Sequence, residues 1–276
     1  MSLKKIIYYY NYIIMDITNK IIKSINNNIP ISFSKYGDGE YLCASNNFVN
    51  DKNCDNDKYT KKLSEAIKES FKYMVNNQNN NYLGMWKTDN TIIKYWESIV
   101  DKKVNWVNYW SLLPYDNNIE KKEIFKSIKK SKLKKIYICN ELLIKAKILL
   151  NIDHMVFIPL NNWFDNEYNC ILEKIKEIIG NEDGNHIVMT SCGMSAKVLI
   201  CDLYKIYPKG IYLDIGSGLD TICTKRSTRG LAFDYNIALN YFNDLIPDDW
   251  NNPEYDYIYK ISNDKLGIHL PKVNIE

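Results

Sequence analysis

Arginine is almost missing from this chain: of 36 basic residues only two are arginine, Arg226 and Arg229, and lysine carries the rest. No sign of charge dominates. Against 33 acidic residues the net charge is +3, too small to indicate nucleic acid as a partner. The lysines are scattered over what read as helix faces, as solvated charge is. Long apolar runs are also absent, and none approaches the ~20 residues needed to span a bilayer. The apolar N-terminus is studded with tyrosine and asparagine and has no small-residue cleavage site, so no signal peptide is expected. No CxxC pair occurs among the seven cysteines, at positions 43, 54, 139, 170, 192, 201 and 223. That excludes the usual zinc spacing, and an odd number fits reduced thiols in a soluble cytoplasmic protein better than a disulfide framework. The three histidines, His154, His186 and His269, lack metal-ligand spacing and are expected to be structural or exposed.

What is present is a chain of 276 residues, 46% hydrophobic and 25% charged, enough for one large α/β domain or two small ones. Ile13, Ile14, Ile17, Ile21, Ile22 and Ile25 form a stripe that predicts a helix over 3–27, ended by Asn26-Asn-Asn-Ile-Pro30. Strands are predicted at Ile31 onward, 82–86, 104–107, 136–139, 155–159, 186–190 and 211–215. Helices are predicted between them, at 58–75, 90–100, 118–131, 141–150, 166–179 and 194–206. Short apolar strands alternating with such helices predict an α/β fold: a single Rossmann-like, mostly parallel sheet with helices on both faces. Past about residue 221 the pattern dissolves into a Tyr-, Asn- and Asp-rich stretch with Pro247, Pro253 and Pro271. One domain over 1–276 is expected, with its core at about 28–225 and an irregular tail, 226–276, wrapping the surface.

Three stretches carry candidate chemistry. Gly37-Asp38-Gly39-Glu40 follows the first predicted strand. Its glycines permit a tight turn and close approach to a ligand. In an extended segment Asp38 and Glu40 project to one side, where two hard oxygen ligands suit Mg²⁺ or Mn²⁺. The same four residues also read as a hairpin turn. Thr190-Ser-Cys-Gly-Met-Ser-Ala-Lys197 runs from strand through small residues into a helix; its backbone N–H groups and Lys197 suit phosphate, though such turns are common in α/β domains. Asp214-Ile-Gly-Ser-Gly-Leu-Asp220 is like the first glycine motif of S-adenosylmethionine-dependent methyltransferases. That motif opens its fold, however, and here only about sixty residues follow. Trp163 can stack on a sugar or base, or pack at a rim or in the core. Asp51–Asp57 begins like a calcium loop, but Asn56 and Lys62 replace its glycine and glutamate; a cap for the next helix is the expected role.

Ser34-Lys-Tyr-Gly-Asp-Gly-Glu-Tyr41 resembles the Gly-Asp-Gly-Glu signature of the GT-D-fold glycosyltransferases. The resemblance continues in order through Asn53-Cys-Asp55, Asn162-Trp-Phe164, Ser191–Lys197 and Leu213–Asp220. It implies a metal-dependent transferase that moves a sugar from a nucleoside diphosphate donor, UDP above all, to a hydroxyl of a glycan or other acceptor. Asp38 and Glu40 would hold Mn²⁺ or Mg²⁺. Lys35, Gly37, Gly39, Ser191, Gly193 and Lys197 would bind the donor, with Asp214 lining its pocket. Asp214 and Asp220 are the candidate bases for an inverting transfer. Arg226 and Arg229 are either a flap that grips the diphosphate with bidentate guanidinium groups or a surface pair. A methyltransferase and a non-catalytic nucleotide-sugar or carbohydrate-binding module are the alternatives.

Overall fold

The computed structural model describes residues 16–46, 52–53, 57–77, 79–85, 90–113, 119–181, 183–225 and 235–251. Seven strands, β1 (Ile31–Tyr36), β2 (Asn81–Met85), β3 (Trp106–Asn108), β4 (Lys134–Cys139), β5 (His154–Phe157), β6 (His186–Ser191) and β7 (Ile211–Asp214), form one sheet. All pairs are parallel, in the order β3-β2-β1-β7-β6-β4-β5. The described helices are α1 (Thr18–Asn27), α2 (Asp38–Ser45), α3 (Lys61–Asn76), α4 (Asn90–Val100), α5 (Ile119–Lys130), α6 (Ala146–Leu150), α7 (Trp163–Asn166), α8 (Tyr168–Ile179), α9 (Ala196–Ile206), α10 (Asp220–Thr224) and α11 (Tyr235–Phe242).

A parallel sheet is stable only when both faces are covered, and every residue of β1 is buried. Successive side chains alternate between two cores. Phe33, Ile187, Met189 and Leu213 meet α1, α5, α6, α10 and α11 on one face. Tyr36, Ile138, Val188 and Tyr212 meet α2, α3, α4, α7, α8 and α9 on the other. The second core holds an aromatic group at the end of β1: the Tyr36 ring lies edge-on to Phe71 and Trp96 at centroid distances of 5.2 and 5.0 Å. Each such ring buried contributes about 1.5–3 kcal/mol. No helix among the described residues is long and apolar enough to cross a membrane.

The asparagine-rich composition has a local use. Asn28, Asn46 and Asn151 each close a helix in the left-handed region, at φ 51, 54 and 53°, which asparagine tolerates better than most residues. Other boundaries differ from the periodicity. The stretch 141–150 divides into a 3₁₀ turn (Glu141–Leu143) and α6. Thr60, not the acidic loop before it, caps α3, its Oγ1 accepting from Leu63 N–H at 3.2 Å. In the stretch expected to be irregular, Tyr235–Phe242 forms α11, and Phe242 and Trp250 are buried. Lys122, Lys126 and Lys129 of α5 reach Asn243, Asp244 and the Leu245 carbonyl just beyond it.

Candidate functional site

The site is built where β1, β7 and β6, neighbours in the sheet, end together. The chain leaves β1 through Gly37, and α2 begins at once with Asp38. Glu40, third residue of that helix, turns back so that its Oε2 accepts from Gly37 N–H at 2.8 Å, satisfying a donor the helix leaves open. The extended geometry expected for Asp38 and Glu40 is therefore absent. On a helix, residues two apart point about 200° away from each other; Asp38 is exposed and Glu40 buried. The hairpin reading fails for the same reason. Gly37 has φ −106°, whereas the next two strand ends carry glycines with positive φ, Gly193 (φ 65°) and Gly216 (φ 56°).

Glu40 Oε1 lies 2.7 Å from the ammonium of Lys197 in α9, which lies 3.0 Å from Asp214 Oδ2 at the end of β7. Lys197 also donates to the Gly193 carbonyl at 3.3 Å. Three N–H bonds thus meet three acceptors. The lysine expected to meet phosphate points inward, its side chain 6% exposed. Burial disfavours its charge, but Asp214 and Glu40 outweigh that and hold its pKa above the usual lysine range. Asp214 Oδ2 also accepts from Lys35 N–H at 3.0 Å. The Lys35 ammonium donates to the Ile215 carbonyl at 2.6 Å and passes under Gly216, where a Cβ would collide with it. Ser191 Oγ donates to the Gly216 carbonyl at 2.5 Å and lies 2.6 Å from Tyr137 Oη, tying β6 to the turn after β7.

Asp57, at the end of the acidic stretch, joins this assembly. Asp57 is buried, its Oδ1 accepts from Asn162 N–H at 3.0 Å, and its Oδ2 occupies the space a Gly193 Cβ would need. Trp163 is buried, stacked near Tyr168 and donating to the Cys192 carbonyl at 3.4 Å; it is a core residue and offers no face to a sugar. A residue the sequence did not single out, Tyr109, stands half-buried across the top of β2. Its ring carries the Lys35 ammonium 5.4 Å from its centroid, and its hydroxyl would lie 3.6 Å from a Cβ at Gly37. Gly84 makes room for it, since a Cβ there would stand 3.1 Å from Tyr109 Cα.

Lys35, Glu40, Ser191, Gly193, Lys197 and Asp214 are thus brought together, while Asp38 and Gly39 stand at the rim. Asp220 opens α10 on the other face, where its charge bears on Cys223, Cys139 and Tyr137. Arg226 and Arg229 lie outside the described residues. Among the described residues, four carboxylates (Asp38, Glu40, Asp57, Asp214) and two ammonium groups (Lys35, Lys197) stand around the strand ends, an excess of negative charge. Among the described residues no three His, Cys, Asp or Glu side chains cluster as a ready-made metal cage. Mg²⁺ and Mn²⁺ need none when a diphosphate supplies oxygens, because one or two carboxylates then suffice. The carboxylate of Asp38 is exposed, whereas that of Glu40 is buried against the Gly37 N–H and the Lys197 ammonium.

No family model and no curated protein matches the sequence. Solved structures do. The chain is similar to a domain of unknown function 1792, described as having a distinct glycosyltransferase fold, with a TM-score of 0.52 and 17% identity over 74% of this chain and 79% of that one. A glycosyltransferase with the same domain, from Streptococcus sanguinis, has a TM-score of 0.50 and 16% identity over 76% of this chain and 84% of its own. The sheet and its helices therefore form a glycosyltransferase fold. More narrowly, it is the fold of the domain 1792 structures, in agreement with the GT-D resemblance.

Proposed function

We propose that this chain is a metal-dependent glycosyltransferase that moves a sugar from a nucleoside diphosphate, UDP in the first instance, to a hydroxyl of a glycan or other acceptor. The observation that carries the reading is the buried Glu40–Lys197–Asp214 assembly joining adjacent strand ends, with Asp38 exposed beside it. Ligands of open parallel sheets bind at such ends. A site with excess negative charge takes a diphosphate only with a cation, and Asp38 is the residue assigned to hold it. When bound, Mg²⁺ or Mn²⁺ neutralises charge on the departing diphosphate. The chain's own part is positional: Tyr109 walls the rim, and the left-handed turns at Gly193 and Gly216 present backbone N–H groups. An inverting transfer needs a carboxylate to take the acceptor's proton as the new C–O bond forms. Asp214 is 1% exposed and engaged by Lys197 and the Lys35 N–H, and Asp220 stands on the other face of the sheet, so neither is assigned as the base.

Thermal unfolding with UDP-sugars plus Mn²⁺, coupled to mass spectrometry of the donor, tests the proposal. Stabilisation with donor consumption is expected. Stabilisation by S-adenosylmethionine instead would indicate a methyltransferase, and a shift without consumption a binding module.

A further inference from the structure

We propose that Glu40 is a positioning residue and not a metal ligand: it holds Lys197 and the first turn of α2 in place, and leaves the cation to Asp38 and the diphosphate. The two oxygens of Glu40 are separately committed, Oε2 to Gly37 N–H at 2.8 Å and Oε1 to the Lys197 ammonium at 2.7 Å. A cation on Oε1 would stand beside the Lys197 ammonium, and like charges that close repel. Oε2 is turned inward against the Gly37 N–H of a buried residue, so the carboxylate faces away from solvent. Asp38 has no such commitment to the interior: its Oδ1 accepts from the adjacent Gly39 N–H at 3.0 Å, and the side chain is exposed. The two acids of one short motif therefore divide the work. It follows that the protein alone binds the cation weakly and takes it up together with a nucleoside diphosphate.

This rests on the transferase reading for the diphosphate, so the test has two arms. In the first, Mn²⁺ uptake by the full chain is followed by electron paramagnetic resonance, with and without UDP. The wild type is expected to retain Mn²⁺ only when UDP is present. Asp38→Asn should weaken that uptake by about tenfold or more, equivalent to about 1.4 kcal/mol, and Glu40→Gln by less than about threefold. In the second arm, without ligand, Glu40→Gln, Lys197→Met and the double variant are compared by thermal unfolding. Non-additive losses are expected, since the Glu40 effect runs through Lys197. The triple variant Glu40→Gln/Lys197→Met/Asp214→Asn, which removes all three charges and keeps side-chain volume, supplies a folded background should Glu40→Gln alone unfold. Equal loss of Mn²⁺ uptake in Asp38→Asn and Glu40→Gln overturns the assignment, as does strict additivity. A wild type that retains no Mn²⁺ with UDP overturns the transferase reading and the role of Asp38; the unfolding cycle still decides that of Glu40.

Discussion

The ammonium of Lys197 lies between Glu40 and Asp214, 2.7 Å from one carboxylate and 3.0 Å from the other. Residues far apart in the chain are thereby joined at the tips of neighbouring strands. A buried ion pair adds little net stability, yet removing one partner strands the other.

Lys197→Met is therefore expected to destabilise the fold by about 3–5 kcal/mol, because two buried carboxylates then face each other unneutralised. Urea unfolding measures it. A midpoint within error of wild type would mean that the lysine does not hold these acids together.

Gly193→Ala tests the turn after β6. The residue sits at φ 65°, where an L side chain costs about 1–2 kcal/mol, and the new Cβ would lie 2.7 Å from Asp57 Oδ2. The variant should lose stability and release Asp57 from Asn162. Faster amide exchange at Asn162, whose N–H donates to Asp57, is the expected signature; unchanged exchange there would refute the clasp.

Much of this fold was legible because a parallel sheet advertises itself. Strands buried on both faces read as short apolar runs, and helix α4 lies at Asn90–Val100, where its spacing placed it. The site was legible as three strand-end motifs and illegible as geometry. Whether Asp38 and Glu40 project together depends on helix or strand at one turn, and the flanking glycines mask that choice. Lys197 read as a phosphate ligand because position in a helix says nothing of which acids stand opposite. Tyr109 carried no signal at all: its place comes from Gly84 in the neighbouring strand, a relationship no local pattern encodes.

Tyr109→Ala removes the half-buried ring beside Gly37 and Lys35. Loss of an aromatic wall of this kind is worth about 0.5–1.5 kcal/mol, so UDP affinity in the presence of Mn²⁺ should fall several-fold by calorimetry. Tyr109→Phe should retain most of the binding that comes from the ring. Undiminished affinity in Tyr109→Ala would place the nucleotide elsewhere.

Helix α11 is tied to α5 by charge. Asp244, just beyond α11, lies 2.9 Å from both Lys122 and Lys126 of α5. Hydrogen bonds from those lysines push its pKa down to about 2 from an ordinary 3.8. A carboxyl depressed in the folded state stabilises above its unfolded pKa, and that contribution drains away as the pH falls from about 4 towards 2. Because the group is exposed, salt screens the same interaction. Docking of α11 should therefore weaken on acidification, and at neutral pH in high salt. Hydrogen exchange of Tyr235–Phe242 at pH 5 and pH 3 reads this directly, with Asp244→Asn as the control. After correction for intrinsic exchange rates, the wild type should lose protection between the two pH values more than the variant does. Identical losses would show that the apolar seat of Phe242 and Trp250, and not the lysine pair, holds the helix in place.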